Sequence, residues 1–120
     1  MKPYQDARLE GEKLAKQYAE LEQVDQVDFY NGLEGYYSVL GHNKKQEAIA
    51  VLIEKNDHKI YVYQLDKGIS QDKAATISRE KGASDIDKIT FGRYQDKPIW
   101  EVKSGNQYYL VDFETGAVIQ

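Results

Sequence analysis

The sequence predicts an α+β fold of two tandem modules, each an N-terminal helix packed on a small antiparallel β-sheet. Two observations carry that expectation. A periodic helical stretch opens the chain and is followed by four strand-like runs; a second, shorter helical stretch is then followed by three more. Helices do not alternate with single strands, so the βαβ pattern that calls for a parallel sheet is missing. The connections "GLEG", "NKKQ" and "NDH" are short and polar, which favours antiparallel neighbours.

From Pro3 to about Glu22, the residues Ala7, Gly11, Leu14, Ala15, Tyr18 and Leu21 recur at steps of three and four, one face of an α-helix. Pro3 suits the first turn. Gly11 costs about 1 kcal/mol against alanine in a helix interior, and close approach to a sheet is the compensation to expect. The runs "VDQVDFYN", "GYYSVLGH", "EAIAVLIEK" and "KIYVYQL" are rich in Tyr, Val and Ile and read as strands. In "GISQDKAATISREKG", Ser70 fits an N-cap, Ile69 a staple residue and Gly82 a C-terminal stop. Ala74 and Ile77 are the positions expected to be buried. Strands are then expected in "IDKITFGRY", "PIWEVKS" and "QYYLVDF", with a short last one in "AVIQ".

Sliding the chain by 48 residues sets "YVYQLDKGI", Tyr61–Ile69, on "YLVDFETGA", Tyr109–Ala117, with similar residues paired almost throughout. An internal duplication is the expected source, dividing the chain into modules 1–67 and 68–120. Both segments read as a strand with an apolar inner face, Tyr61, Tyr63 and Leu65 in one and Tyr109, Val111 and Phe113 in the other. A turn follows each, with Gly68 and Gly116 supplying positive φ. Modules of about 60 residues bury little surface, so each is expected to lean on the other.

Composition excludes several functions. The 20 acidic and 16 basic residues are interspersed, without the basic stripe that a nucleic-acid partner would require. Zero cysteines exclude disulfides, structural thiolate zinc and thiol catalysis. No run of about 18 apolar residues marks a membrane span. His42 and His58 have no H-x-x-x-H spacing and read as exposed loop histidines. No serine lies in a G-x-S-x-G elbow, and "GLEGYYSVLG" lacks the order of a phosphate loop. The pairs Asp25 with Asp28 and Asp85 with Asp87 read as polar residues at strand starts.

The stretch "YYLVDFETGAV" gathers Asp112, Glu114, Thr115 and Gly116, groups that could hold a cation or move a proton. A calcium loop needs more patterned oxygen ligands than "DFETG" offers, so these residues are read as a turn. The sequence therefore assigns no catalytic, metal or cofactor-binding residue. Its unusual resource is aromatic: ten tyrosines and Trp100. Alternation places Trp100 and Val102 in the second core beneath its helix. On the opposite faces, Ile60, Val62, Ile99, Tyr108 and Leu110 are expected to point away from the cores, yet they are apolar. Such a face is covered by the other module or by a partner, so these five are the candidate partner-binding residues.

The segments "GISQDKAATIS" and "PIWEVKSGNQYYLVDFETGAVIQ" resemble PepSY-like domains. The resemblance rests on Trp100, Glu101, Val102, Tyr109, Val111, Asp112, Thr115 and Gly116. With the first module included, the chain resembles the extracytoplasmic part of the TseB-like (YpmB-type) cell-wall elongation regulators of Gram-positive bacteria. That resemblance implies no catalysis and no cofactor. It implies attachment to the outer face of the cell membrane by an N-terminal segment that this sequence lacks, and association with a penicillin-binding transpeptidase. A cytoplasmic location is the alternative that the missing segment leaves open. The PepSY-like half implies a second reading, a peptidase-inhibitory or propeptide-like domain.

Overall fold

The protein is described here from a computed structural model, which places residues 3–119, with side chains described from Gly11 onward. Pro3 stands in the first turn of the opening helix, as expected; the expectations for the Ala7 side chain and for Gln120 in a last strand lie outside the described residues. The chain divides into two compact units, Met1–Leu65 and Asp66–Gln120. It is α+β, with one helix and one antiparallel sheet in each.

In the first unit, helix α1 (Pro3–Ala19) is followed by strands β1 (Leu21–Asn31), β2 (Gly35–Asn43), β3 (Ala48–Glu54) and β4 (Ile60–Gln64). The strands pair in the order β1-β2-β3-β4, each antiparallel to the next. The helix ends earlier than the periodicity predicts, because Glu20 turns into the left-handed region at φ 55° and Leu21 starts β1. Tyr18 consequently stays 59% exposed and does not join the packed face. Gly11 does: a Cβ there would lie 3.2 Å from the Tyr37 Cβ, so the helix backbone runs close over β2. Ala15 seals that contact against Val27, Val39, Val51 and Ile53. Each such aliphatic side chain contributes roughly 1.5–3 kcal/mol on full burial.

Register decides which side of β4 meets this core. Ile53 pairs with Ile60 and Val51 with Val62, so Ile60 and Val62 lie on the helix-bearing face, and Ile60 packs against the aliphatic cluster. Both were expected to point away from it. Tyr61 and Tyr63, expected inside, share the other face with Leu52 and Ala50. That second face is also closed to solvent over Tyr30, Tyr36, Ser38, Leu40 and Leu52.

In the second unit, after a 3₁₀ turn (Leu65–Lys67), helix α2 (Gln71–Glu80) precedes β5 (Lys88–Tyr94), β6 (Lys97–Ser104) and β7 (Gln107–Asp112), paired in that order. Ser70 caps α2, its hydroxyl accepting from the Lys73 N–H at 3.0 Å, and Gly82 ends it at φ 116°. Ala74 is buried as expected; Ile77 is only half-buried, and Ala75 and Ser78 fill the remaining inward positions. The core is aromatic. Phe91 lies 4.9 Å from Trp100 and 5.2 Å from Phe113, both edge to face. Ile69 ties this cluster to the helix start: its N–H donates to the Phe113 carbonyl at 2.8 Å, and its carbonyl accepts from the Trp100 indole at 3.0 Å. "AVIQ" contributes one bridge, Val118 with Val111.

Candidate functional site

The acidic stretch after β7 is architectural. The buried Asp112 carboxylate accepts from the Glu114 and Thr115 N–H groups at 2.8 and 3.0 Å. The Gly116 N–H donates to the Asp112 carbonyl at 2.8 Å, with Gly116 at φ 81°. These bonds use the carboxylate to stabilise a turn and leave Glu114 and Thr115 pointing outward. Gly68 does not match Gly116 in this respect. It lies outside the left-handed region, and it is glycine because a Cβ would meet the Phe113 carbonyl oxygen at 2.3 Å.

His58 is an exposed turn residue at φ 56°, as expected. His42 is not in a loop. It sits in β2 with its side chain 35% exposed, and its Nδ1 lies 2.6 Å from the Asp25 carboxylate, a close polar contact without hydrogen-bond geometry. A register shift between Val24 and Gln26 brings Asp25 there. Among the described residues, no group of His, Asp and Glu is arranged to hold a metal ion, and no helix is long and apolar enough to cross a membrane.

The five candidate partner-binding residues separate by exposure. Val62 and Tyr108 are open, at 49% and 53%. Ile60 is half-buried. Ile99 and Leu110 lie on the face of the second sheet opposite Trp100, as expected, but they are buried at 0% and 6% exposed and offer no surface. Tyr108 stands in a cross-strand row with Lys88 and Lys103. Lys103 is the direct neighbour of this exposed phenol and Lys88 lies one strand further, an arrangement that the alternation pattern alone did not reveal, because the lysines come from two other strands.

Two carboxyl groups feel burial. Glu101 shares the Ile99 face, and desolvation raises its pKa although Lys88 pulls the other way. Glu54, buried at the end of β3, is raised by desolvation and by the nearby Glu34 and Asp57 carboxylates. Neither stands beside a nucleophile. An open groove of about 680 Å³ runs between the end of α1 and the β2–β3 turn, lined by Lys16, Glu20, Glu22, Lys44, Lys45 and Glu47. Its charges balance, so it selects no ligand sign.

The fold defines a small α+β protein of two helix-on-antiparallel-sheet units. Residues 10–54 match the cell wall elongation regulator TseB-like domain. The chain is 38% identical over 114 residues to the Bacillus subtilis protein named "Probable cell wall elongation regulator TseB", covering 88% of this chain and 70% of that protein. The solved structure of the YpmB protein from Bacillus subtilis superposes with a TM-score of 0.80 at 32% identity, covering 100% of this chain and 97% of that one. The chain belongs to the TseB-like family of cell wall elongation regulators.

Proposed function

We propose that this chain is a non-enzymatic regulatory module of cell-wall elongation that works by binding a penicillin-binding transpeptidase at the outer face of the cell membrane. The observation that carries the reading is the 38% identity, across most of the chain, to a protein named as a regulator of this process. Attachment to the membrane is through an N-terminal anchor outside this sequence. Tyr108 is the central contact. It is exposed, apolar in its ring and next to Lys103, with Lys88 one strand further along the same row, which suits an apolar pocket with an acidic rim on the partner. Ile99 and Leu110 share the Tyr108 face but are buried, and in this reading they shape the sheet and do not touch the partner. The two units also have a common origin by duplication in this reading, supported by their shared order of helix then antiparallel meander.

The test is a pull-down from detergent-solubilised Gram-positive membranes with the chain as bait, retained proteins being identified by mass spectrometry. Recovery of a penicillin-binding transpeptidase by the wild type, lost with Tyr108→Asp, is expected. Recovery of a secreted peptidase would favour an inhibitory domain instead. Leu110→Asp is unsuitable as a surface probe, because it would place a charge in a buried position.

A further inference from the structure

We infer that the tip of the β1–β2 hairpin is a self-modification site, at which Asn31 loses its side-chain amide to attack by the Gly32 nitrogen and becomes aspartate or isoaspartate. The chain has four asparagines, Asn31, Asn43, Asn56 and Asn106, and Asn31 is the one followed by glycine. Attack by the next backbone nitrogen is hindered by the side chain that nitrogen's residue carries, and glycine carries none. The fold imposes this neighbour. A Cβ at position 32 would lie 2.6 Å from the Tyr30 ring, which is buried and cannot swing aside.

The tip also leaves both reacting groups free. Asn31 and Gly32 are exposed, and among the described residues no hydrogen bond holds the Asn31 amide or the Gly32 N–H. The Lys55 N–H donates to the Gly35 carbonyl at 2.9 Å, so Gly35 directs its backbone groups toward β3, and its pairing with Asn31 is one without hydrogen bonds. The other two turns of this sheet are tied. In one the Gln46 N–H donates to the Asn43 carbonyl at 3.0 Å, and in the other the His58 N–H donates to the Glu54 carbonyl at 2.9 Å. Asn43 is held by both ends of its amide: Nδ2 donates to the Glu47 carboxylate at 2.8 Å, and Oδ1 accepts from the Lys45 and Glu47 N–H groups at 3.0 Å. Asn56 and Asn106 are followed by Asp57 and Gln107, whose side chains crowd the attacking nitrogen.

Water is the one co-reactant the chemistry needs. The Gly32 nitrogen bonds to the Asn31 Cγ, the Cγ–Nδ2 bond breaks, and Nδ2 leaves as ammonia with the proton that Gly32 gives up, closing a succinimide ring. Nucleophile and carbonyl belong to adjacent residues, so the attack is intramolecular. Water then opens the ring. Cleavage at Cγ leaves aspartate, while cleavage at the main-chain carbonyl leaves isoaspartate, with the chain running through the former side chain. Either product puts a new carboxylate on the tip that already carries Glu34. Isoaspartate also lengthens the backbone by one atom where β1 ends, next to Leu33 at 76% exposed.

Peptide mapping by mass spectrometry tests this, on the full chain kept folded in mildly alkaline buffer at physiological temperature and sampled over weeks. The peptide carrying Asn31 should gain the mass that separates an acid from an amide, take up label from water enriched in heavy oxygen, and fragment as a mixture of aspartate and isoaspartate. Asn31 should convert at least several-fold faster than Asn43, Asn56 or Asn106. Asn31→Gln, an exposed replacement that keeps the amide, should slow the gain at this peptide many-fold. An Asn31 that stays an amide in the folded chain, or that converts only in urea, overturns the inference. So does conversion no faster than at the other three asparagines.

Discussion

The first unit closes its helix on the sheet through an aliphatic layer, Ala15 with Val39, Val51 and Ile53, whereas the second closes through the rings of Phe91, Trp100 and Phe113. The first spreads its stability over many small contacts and brings the helix close by a glycine, Gly11 on Tyr37. The second concentrates it, since Trp100 packs in the aromatic cluster and also donates to the Ile69 carbonyl. Their borders differ as well. The outer edge of β7 is bordered by the C-terminal return, while β4 is the last strand of its sheet. One architecture thus supports two stability profiles and two kinds of surface.

The sharpest way to break this comparison is to remove one side chain from each core. Trp100→Ala should cost about 3–5 kcal/mol in urea melts followed by far-ultraviolet circular dichroism, against about 2 kcal/mol for Val51→Ala. Equal losses would mean that the second core is no more concentrated than the first. Gly68→Ala should come next, at about 2 kcal/mol, because its Cβ would strike the Phe113 carbonyl and the strain cannot be relieved by a side-chain rotation. Ser70→Ala should cost about 1 kcal/mol through the lost α2 cap, measured in the same melts.

The smallest effect carries a pH signature. Burial raises the Glu101 pKa in the folded state, so that state holds the proton more tightly than the unfolded chain. The resulting stabilisation is full below the unfolded pKa and is lost as pH rises through the folded one. Charged Glu101 is therefore a cost at neutral pH, partly offset by Lys88. Glu101→Gln should raise stability at pH 7 by on the order of 0.5 kcal/mol, and the gain should vanish below about pH 4. A gain independent of pH would assign the effect to packing instead.

What the sequence made legible, and what it hid, divides along the same physical lines. Ser70 and Gly82 act locally, so their roles could be read from a few neighbouring residues, and the structure places both at the ends of α2. Trp100 was legible because only one face of β6 combines it with Val102. β4 was misread because both of its faces are apolar, Ile60 and Val62 on one and Tyr61 and Tyr63 on the other. Alternation cannot choose between them. The β3–β4 turn chooses, with His58 at φ 56° setting the register. The contact of His42 with Asp25 and the row of Lys88, Lys103 and Tyr108 were hidden for a related reason, since each depends on pairing between strands. Periodicity put Ile99 and Leu110 on the face away from Trp100, and it was their apolar character, not the spacing, that pointed to this face being shielded from water.

The measurement that bears most directly on the regulatory reading is a binding titration of a purified penicillin-binding transpeptidase ectodomain with the wild-type chain and with Tyr108→Asp. The account predicts saturable binding by the wild type, a parallel change in transpeptidase activity, and loss of both in a variant whose thermal melt is unchanged. No binding by the folded wild type, or equal binding by Tyr108→Asp, would contradict it.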